Sequence, residues 1–325
     1  MPLRPYSKPY LSVARQVELL RGRGMQISDT AKAESCLHRI GYYRLSGYAY
    51  PFRHRELIQN ADGSQGERIF ENFRPNTDFS TVMELYVFDK RLRLLFLDAI
   101  ERIEVALRVE IALLLGKYGA FSYRDGAFFN RFFTMPDAIS GETPHQKFLT
   151  KLDEAFSRSK DEFAIHFAAT YSSKPPIWMS IEVWDFGCLA TILNGMKDSD
   201  LNNLSSLYSL PKRRYLTSWS QSINFARNIC AHHGRLWNRP VVQQPAPPSR
   251  GDLTLLEHLS NDEHAKRRLY AVAAIVQYFM RIVHPSSSWS ERLRGHLSTL
   301  PKSPHLSIRH MGFPSGWEEF ALWKK

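Results

Sequence analysis

The sequence predicts an all-α protein, on three observations. Apolar residues recur with helical spacing over long stretches, most clearly from Phe79 to Leu115, where neither Gly nor Pro interrupts. Strand-like alternation of apolar and polar residues is scarce. Glycine and proline gather between the periodic stretches, so helices are joined by long irregular connections. The pattern divides the chain into an N-terminal helical segment over residues 1–60, a helical core over 78–240 and a C-terminal part over 250–325.

Residues 1–7 read as a polar arm. Leu11–Arg21 has the apolar spacing of a short helix, stopped by Gly22 and Gly24. Ser28 or Asp29 caps a second helix, whose Ala33, Leu37 and Ile40 share a face. In Gly41–Phe52 four tyrosines, a Phe and Arg44 interleave with two glycines. This segment either packs its aromatics into the core or offers rings and Arg44 to RNA bases. Residues 54–76 are loop-like. The long helix then carries its apolar stripe from Val82 to Leu114, with Lys90, Arg91, Arg93, Asp98, Glu101, Arg102, Glu104, Arg108 and Glu110 on a polar side that is either solvated or lends one carboxylate to orient an Arg or His of Ser220–Arg239. Glu104 and Arg108 stand one turn apart.

Residues 116–144 are irregular, and Phe121, Tyr123, Phe128, Phe129, Phe132 and Phe133 are expected to pin them to the core. Helix returns over about 145–170. Pro175–Pro176 breaks the chain, and Ile177–Leu193 reads as one apolar helix closed by Asn194–Gly195. A short helix follows over about 198–208, then one over about 212–233 with Gly234 as its natural C-cap. Thr254–His284 contains one or two more helices. The tail 285–325 reads as loose, although Phe313, Trp317, Phe320 and Trp323 suggest docking.

The chain carries a formal net charge of +11 over 325 residues, a balance that favours polyanionic partners, nucleic acid before an anionic membrane surface. Its three cysteines show no paired spacing, which argues for a reducing compartment. No CxxC or HExxH is present, so neither a metal nor another cofactor is expected. The N-terminus lacks a signal-peptide core. The most lipid-like run, Leu269–Val283, is interrupted by Gln277 and Arg281 and falls short of the roughly 20 residues of a spanning helix. A cytoplasmic location follows.

Chemistry concentrates in Ser220–Arg239. From Leu201 to Arg250 there is no carboxylate, yet the window holds Lys212, Arg213, Arg214, Arg227, Arg235, Arg239 and Arg250. Each helical residue turns by about 100°, so Asn228 and His232, four apart, share a face. Asn224 and, if the helix persists, Arg235 extend that line, and Arg227 lies beside it. Imidazole moves protons near neutral pH. Guanidinium holds a phosphate in paired hydrogen bonds and stabilises the added charge of a phosphorane. Arg227, Asn228 and His232 are therefore candidate catalytic residues for RNA cleavage, with His233, Arg235, Asn224, Arg239 and Arg44 in support. A plain helix C-terminus, with His and Arg satisfying carbonyls, is the alternative for the same string. Metal binding by His232 and His233 is disfavoured, because adjacent helical side chains diverge.

Four ordered blocks carry a family resemblance: Lys8–Met25, Cys36–Phe52, Leu85–Arg108 and Arg227–Arg239. Over residues 8–240 the chain resembles the abortive-infection (Abi) proteins of the AbiD/AbiF type, which are similar to the HEPN superfamily of helical RNases. The resemblance implies a HEPN-like helical bundle with additional N-terminal helices. It implies metal-independent cleavage to a 2′,3′-cyclic phosphate and a 5′-OH, at a site that two R-x4-H motifs complete across a homodimer. Glu101 or Glu104 falls where many such proteins carry an acidic residue. A role in phage defence, or as the toxin of a toxin–antitoxin pair restrained by an antitoxin or a small regulatory RNA, is implied in the same way. The competing reading is a non-catalytic RNA-binding protein of the same fold; a membrane-surface protein is disfavoured, since no basic amphipathic helix with an exposed apolar face stands out.

Overall fold

A computed structural model describes residues 5, 7–59 and 62–324 of the chain. The fold is all-α with one small antiparallel hairpin. Its contacts divide into two compact units, Met1–Arg91 with His296–Ile308, and Leu92–Gly295 with Arg309–Lys325. No helix of the described residues is long and apolar enough to cross a membrane.

The first unit begins with α1 (Val13–Gly22), capped by the Ser12 hydroxyl and burying Val17 and Leu20. Of the two cap candidates for α2 (Thr30–Ile40), Asp29 takes the role: its Oδ1 accepts from the Lys32 N–H at 2.9 Å. Gly41, at φ 86°, turns the chain into α3 (Tyr42–Ala49). Residues read as loop then form a hairpin, β1 (Arg53–Gln59) with β2 (Gln65–Phe73), in the register Arg55↔Ile69 and Leu57↔Glu67. Most of both strands is exposed on both faces, so no apolar alternation marks them in the sequence.

The long helix is one element, α4 (Phe79–Gly116). Its residues to Arg91 belong to the first unit and the rest to the second. The expected stripe is buried at Val82, Leu85, Leu92, Phe96, Ile100, Ile103, Leu107 and Ile111. Three charged residues are buried with it: Asp89, which accepts from the Tyr48 hydroxyl at 2.7 Å, Arg93, read as solvated, and Glu104, one of the carboxylates open to orienting an Arg or His.

In the second unit, residues 117–143 contain only short helical turns and α5 (Arg131–Thr134). Tyr123, Phe129 and Phe133 pin this stretch, whereas Phe121 and Phe132 are exposed. The helix expected over 145–170 is two, α6 (Pro144–Arg158), opened by a Thr143–Gln146 capping box, and α7 (Glu162–Thr170). The expected apolar helix is also two, α8 (Ile177–Ser180) and α9 (Phe186–Gly195). The division falls at Asp185, whose carboxylate accepts the Cys188 N–H at 2.7 Å and starts a new helix. Then come α10 (Asp198–Leu207), α11 (Arg213–Ala231), α12 (Glu263–Lys266), α13 (Leu269–Val283) and α14 (Trp289–Leu297).

The tail docks through its aromatic residues, as Phe313, Trp317 and Trp323 suggested. Trp289, Phe313, Trp317 and Trp323 are buried. Within the second unit the Trp323 indole N–H donates to the Tyr270 hydroxyl at 3.2 Å, and that hydroxyl lies 2.8 Å from Nε2 of His258. Phe320 stacks on the His258 ring at 4.4 Å. Burial pushes the His258 pKa down to about 4. Unfolding frees this imidazole to take a proton near pH 6.5, so stability is retained above that value and lost as pH falls toward 4. Thermal melting across this window should therefore show a fall for the natural chain that is smaller for His258→Gln.

Candidate functional site

Helix α11 runs without Gly or Pro from Arg213 to Ala231, and its apolar face buries Tyr215, Leu216, Trp219, Ile223, Ala226 and Ile229, packing against α9. The opposite line holds the polar residues. Asn224 is half-buried, and Asn228 and His232 are exposed. The Asn228 Nδ2 donates to Asn224 Oδ1 at 3.4 Å, and Arg227 Nη1 to Asn228 Oδ1 at 3.5 Å. Arg227, half-buried, also brings Nε to 3.9 Å from Glu104 Oε2.

The helix ends differently from the expectation. His232 is the C-cap, and its N–H donates to the Asn228 carbonyl at 3.0 Å. His233, not Gly234, takes the left-handed conformation, at φ 57°. The Gly234 N–H returns to the Ile229 carbonyl at 2.8 Å and the His233 N–H to the Cys230 carbonyl at 3.2 Å. Those two bonds satisfy carbonyls that the last turn would leave open. Gly234 is needed for space: a Cβ there would lie 3.2 Å from Ile229 Cγ2 and 3.3 Å from its carbonyl oxygen. The turn ends the helical line at His232, so Arg235 lies beyond it rather than on it. The buried Arg93 of α4 donates to the Gly234 carbonyl at 3.3 Å and fastens the turn.

Beneath Arg227 lies a charged cluster. Arg108 Nη2 donates both to Glu104 Oε1 and to the Trp184 carbonyl, each at 2.6 Å. Burial pushes the Glu104 pKa up, outweighing the pull of Arg108 and Arg227, and the carboxylates of Asp185 and Glu101 push the same way. Asp185 behaves in the opposite sense. Burial opposes its ionisation, but hydrogen bonds from the Cys188 N–H and thiol, with Lys151 at 3.3 Å, hold it below the ordinary range. Burial also pushes the Cys188 thiol up to about 11, so it stays protonated and inert. Asn224 lies against this cluster: a Cβ on Gly187 would meet its side chain at 3.6 Å and Asp185 Oδ1 at 3.1 Å.

The structure thus brings Arg227, Asn228, Asn224 and Glu104 together and leaves His232 exposed on the same helical line. Glu101 is exposed on α4. Arg239 is exposed with its guanidinium 5.9 Å from the Phe225 ring, His233 is exposed past the helix end, and Arg235 is half-buried. Arg44 is exposed on α3 and belongs to the first unit. Sequence reasoning missed Asp185, Lys151 and the Trp184 carbonyl; the one local signal was Asp185 standing three residues before Cys188, at cap spacing. The carboxylate-free window is also less cationic than it reads. Lys212 pairs with Asp252 at 2.6 Å and Arg213 with Asp198 at 2.8 Å, both acids from outside it. Among the described residues no cluster of three or more His, Cys, Asp or Glu side chains is arranged to hold a metal ion.

A family model described as Abi-like protein matches residues 35–238. The chain belongs to the Abi-like protein family. The match spans Cys36–Phe52, all of α4 and all of α11 with its helix end, so both α4 and α11 of the cluster lie in the family's own region. Membership ties this Abi-like protein to abortive infection. No curated protein and no solved structure matches the chain.

Arg108→Leu should remove the closest partner of the buried Glu104 carboxylate and destabilise the fold by about 3 kcal/mol near neutral pH. A carboxyl whose folded pKa is raised costs nothing while protonated in both states, and its cost grows as pH rises from the ordinary carboxylate range to the raised value. The loss should therefore shrink toward about pH 5. Glu104→Gln in the same background should restore much of it, as read by urea unfolding at both pH values.

Proposed function

We propose that this Abi-like protein is an endoribonuclease of the AbiD/AbiF type and of HEPN character, acting in phage defence or as the toxin of a toxin–antitoxin pair. The observation that carries the reading is the pairing of Arg227 with the buried Glu104 and with Asn228, on the helical line that exposes His232 at its end. A guanidinium anchored from below is oriented rather than free, which is what stabilising charge on a phosphoryl group requires. His232 accepts the proton of a ribose 2′-hydroxyl, whose oxygen attacks the adjacent phosphorus. The P–O5′ bond breaks, an imidazolium gives its proton to the leaving 5′ oxygen, and a 2′,3′-cyclic phosphate remains. Glu104 positions Arg227 and does not touch the reacting atoms.

One copy offers one imidazole of this kind, so the acid comes from a second copy. A self-complementary surface on α4 supports that reading. Val105, Val109 and Leu113, spaced by one turn, are 49%, 51% and 60% exposed, and Ala106, Ala112 and Gly116 flank them on the same face. About a two-fold axis at Val109, Val105 of one copy meets Leu113 of the other, and Glu101 meets Lys117. No like charges are opposed in that register, which is the requirement for an isologous contact.

Arg227→Ala and His232→Ala should each slow cleavage of purified RNA by about a hundredfold or more while leaving the circular dichroism unchanged. RNA blocked as 2′-O-methyl should resist, and EDTA should not inhibit. Wild-type rates in the double variant would refute the assignment. Val109→Arg should give a monomer in analytical ultracentrifugation and lose cleavage; a monomer that cuts at the full rate would show that one copy suffices.

A further inference from the structure

Residues 35–55 of the first unit contain no carboxylate and hold Arg39, Arg44, Arg53 and Arg55. The four tyrosines among them divide in two. Tyr48 is buried, its hydroxyl donating to Asp89, and the Tyr42 hydroxyl accepts from Arg23 Nη1 at 2.9 Å. Those two rings belong to the packing of the unit. Tyr43 is 91% exposed and Tyr50 is exposed as well.

The two exposed rings share a face. The backbone stays helical through Tyr50, at φ −55° and ψ −39°, and seven residues are almost two full turns, a rise of about 10 Å. Gly47 stands between them on that face and adds no side chain. Past the short turn, Arg53 and Arg55 alternate onto one side of β1 and bring their guanidinium carbons to 5.6 and 5.5 Å from the Tyr50 ring centroid. The Nε of each is buried with no hydrogen-bond partner among the described residues. Arg55 also pairs through Nη1 with Glu67 at 2.9 Å.

We propose that this face binds a single-stranded segment of RNA, stacking unpaired bases on Tyr43 and Tyr50 and holding phosphates with Arg44, Arg53 and Arg55. Exposed rings interleaved with guanidinium groups are a platform for bases, each of which has a π-face, while duplex hides those faces and offers only phosphates. That the strand is RNA rests on the reading of His232 as acting on a 2′-hydroxyl; the stacking itself needs only an unpaired strand.

The test uses the full chain carrying His232→Ala and a fluorescein-labelled oligouridylate, followed by anisotropy. Tyr43→Ala with Tyr50→Ala should weaken binding about tenfold or more, and phenylalanine at both positions should restore it. Arg44→Ala with Arg53→Ala should weaken binding and flatten its dependence on salt. Tyr43→Ala alone, at a side chain that supports no packing, keeps the test valid if Tyr50→Ala disturbs the fold. Unchanged affinity in the alanine variants overturns the proposal. So does equal, tyrosine-dependent binding of an RNA duplex, or loss of the oligouridylate to phosphatidylserine vesicles that take the same face. The two readings separate cleanly. Tyrosine-dependent binding by a wild-type chain that never cuts RNA would remove the nuclease reading and keep the surface, and cleavage with tyrosine-independent binding would do the reverse.

Discussion

A buried carboxylate governs the second unit. Glu104 lies in the interior of a long apolar helix, where an isolated negative charge is costly. Arg108 answers that cost from one turn away and uses the same nitrogen to hold the carbonyl of Trp184, just before α9 begins. Arg227 approaches the second carboxylate oxygen from α11. Glu104 thus ties α4 to α11, Arg108 ties α4 to the backbone just before α9, and the direction of Arg227 is set from below rather than by solvent. Asp185, next to Trp184, shows how much depends on surroundings. It is also partly buried, but N–H donors and Lys151 hold its pKa below the ordinary carboxylate range while burial pushes that of Glu104 above it. Two nearby carboxyl groups are shifted in opposite directions by donor supply.

The second constraint is the end of α11. A left-handed histidine costs roughly 1–2 kcal/mol of backbone strain, and two return hydrogen bonds with a close-packed Gly234 offset it. The consequence is separation. His232 stays on the line through Asn224 and Asn228, and His233 leaves with the departing chain. A glycine at position 233 would make the same turn more easily, so ease of turning does not account for a histidine there.

Much of this was legible, for local reasons. Helix α4 announces itself because its apolar period runs unbroken, and Asp29 lies where its chemistry puts a cap. The line through Asn228 and His232 follows from helical geometry alone. What was missed depends on partners distant in sequence. Arg93 looks solvated, and Glu101 and Glu104 look alike, because nothing near them says what packs above. Most of the hairpin is exposed on both faces, so it leaves no apolar alternation. The aromatic residues of 285–325 signal docking, but not that Tyr270 receives Trp323, and the carboxylates that neutralise Lys212 and Arg213 stand outside the window that seemed free of acid. Of four tyrosines in one short segment, composition could not say which two face inward; Arg23 and Asp89 decide it.

Helix α4 joins these features in a way no single residue shows. Glu104 and Val105 are neighbours, so their side chains leave the helix about 100° apart. One points into the cluster beneath Arg227; the other stands on the exposed apolar face. A rigid helix cannot turn one without turning the other. A second copy seated on Val105, Val109 and Leu113 would fix the rotation of α4 about its axis, and with it the height of the Glu104 carboxylate under Arg227. Pairing would then do more than bring a second imidazole: it would hold the guanidinium in register within each copy.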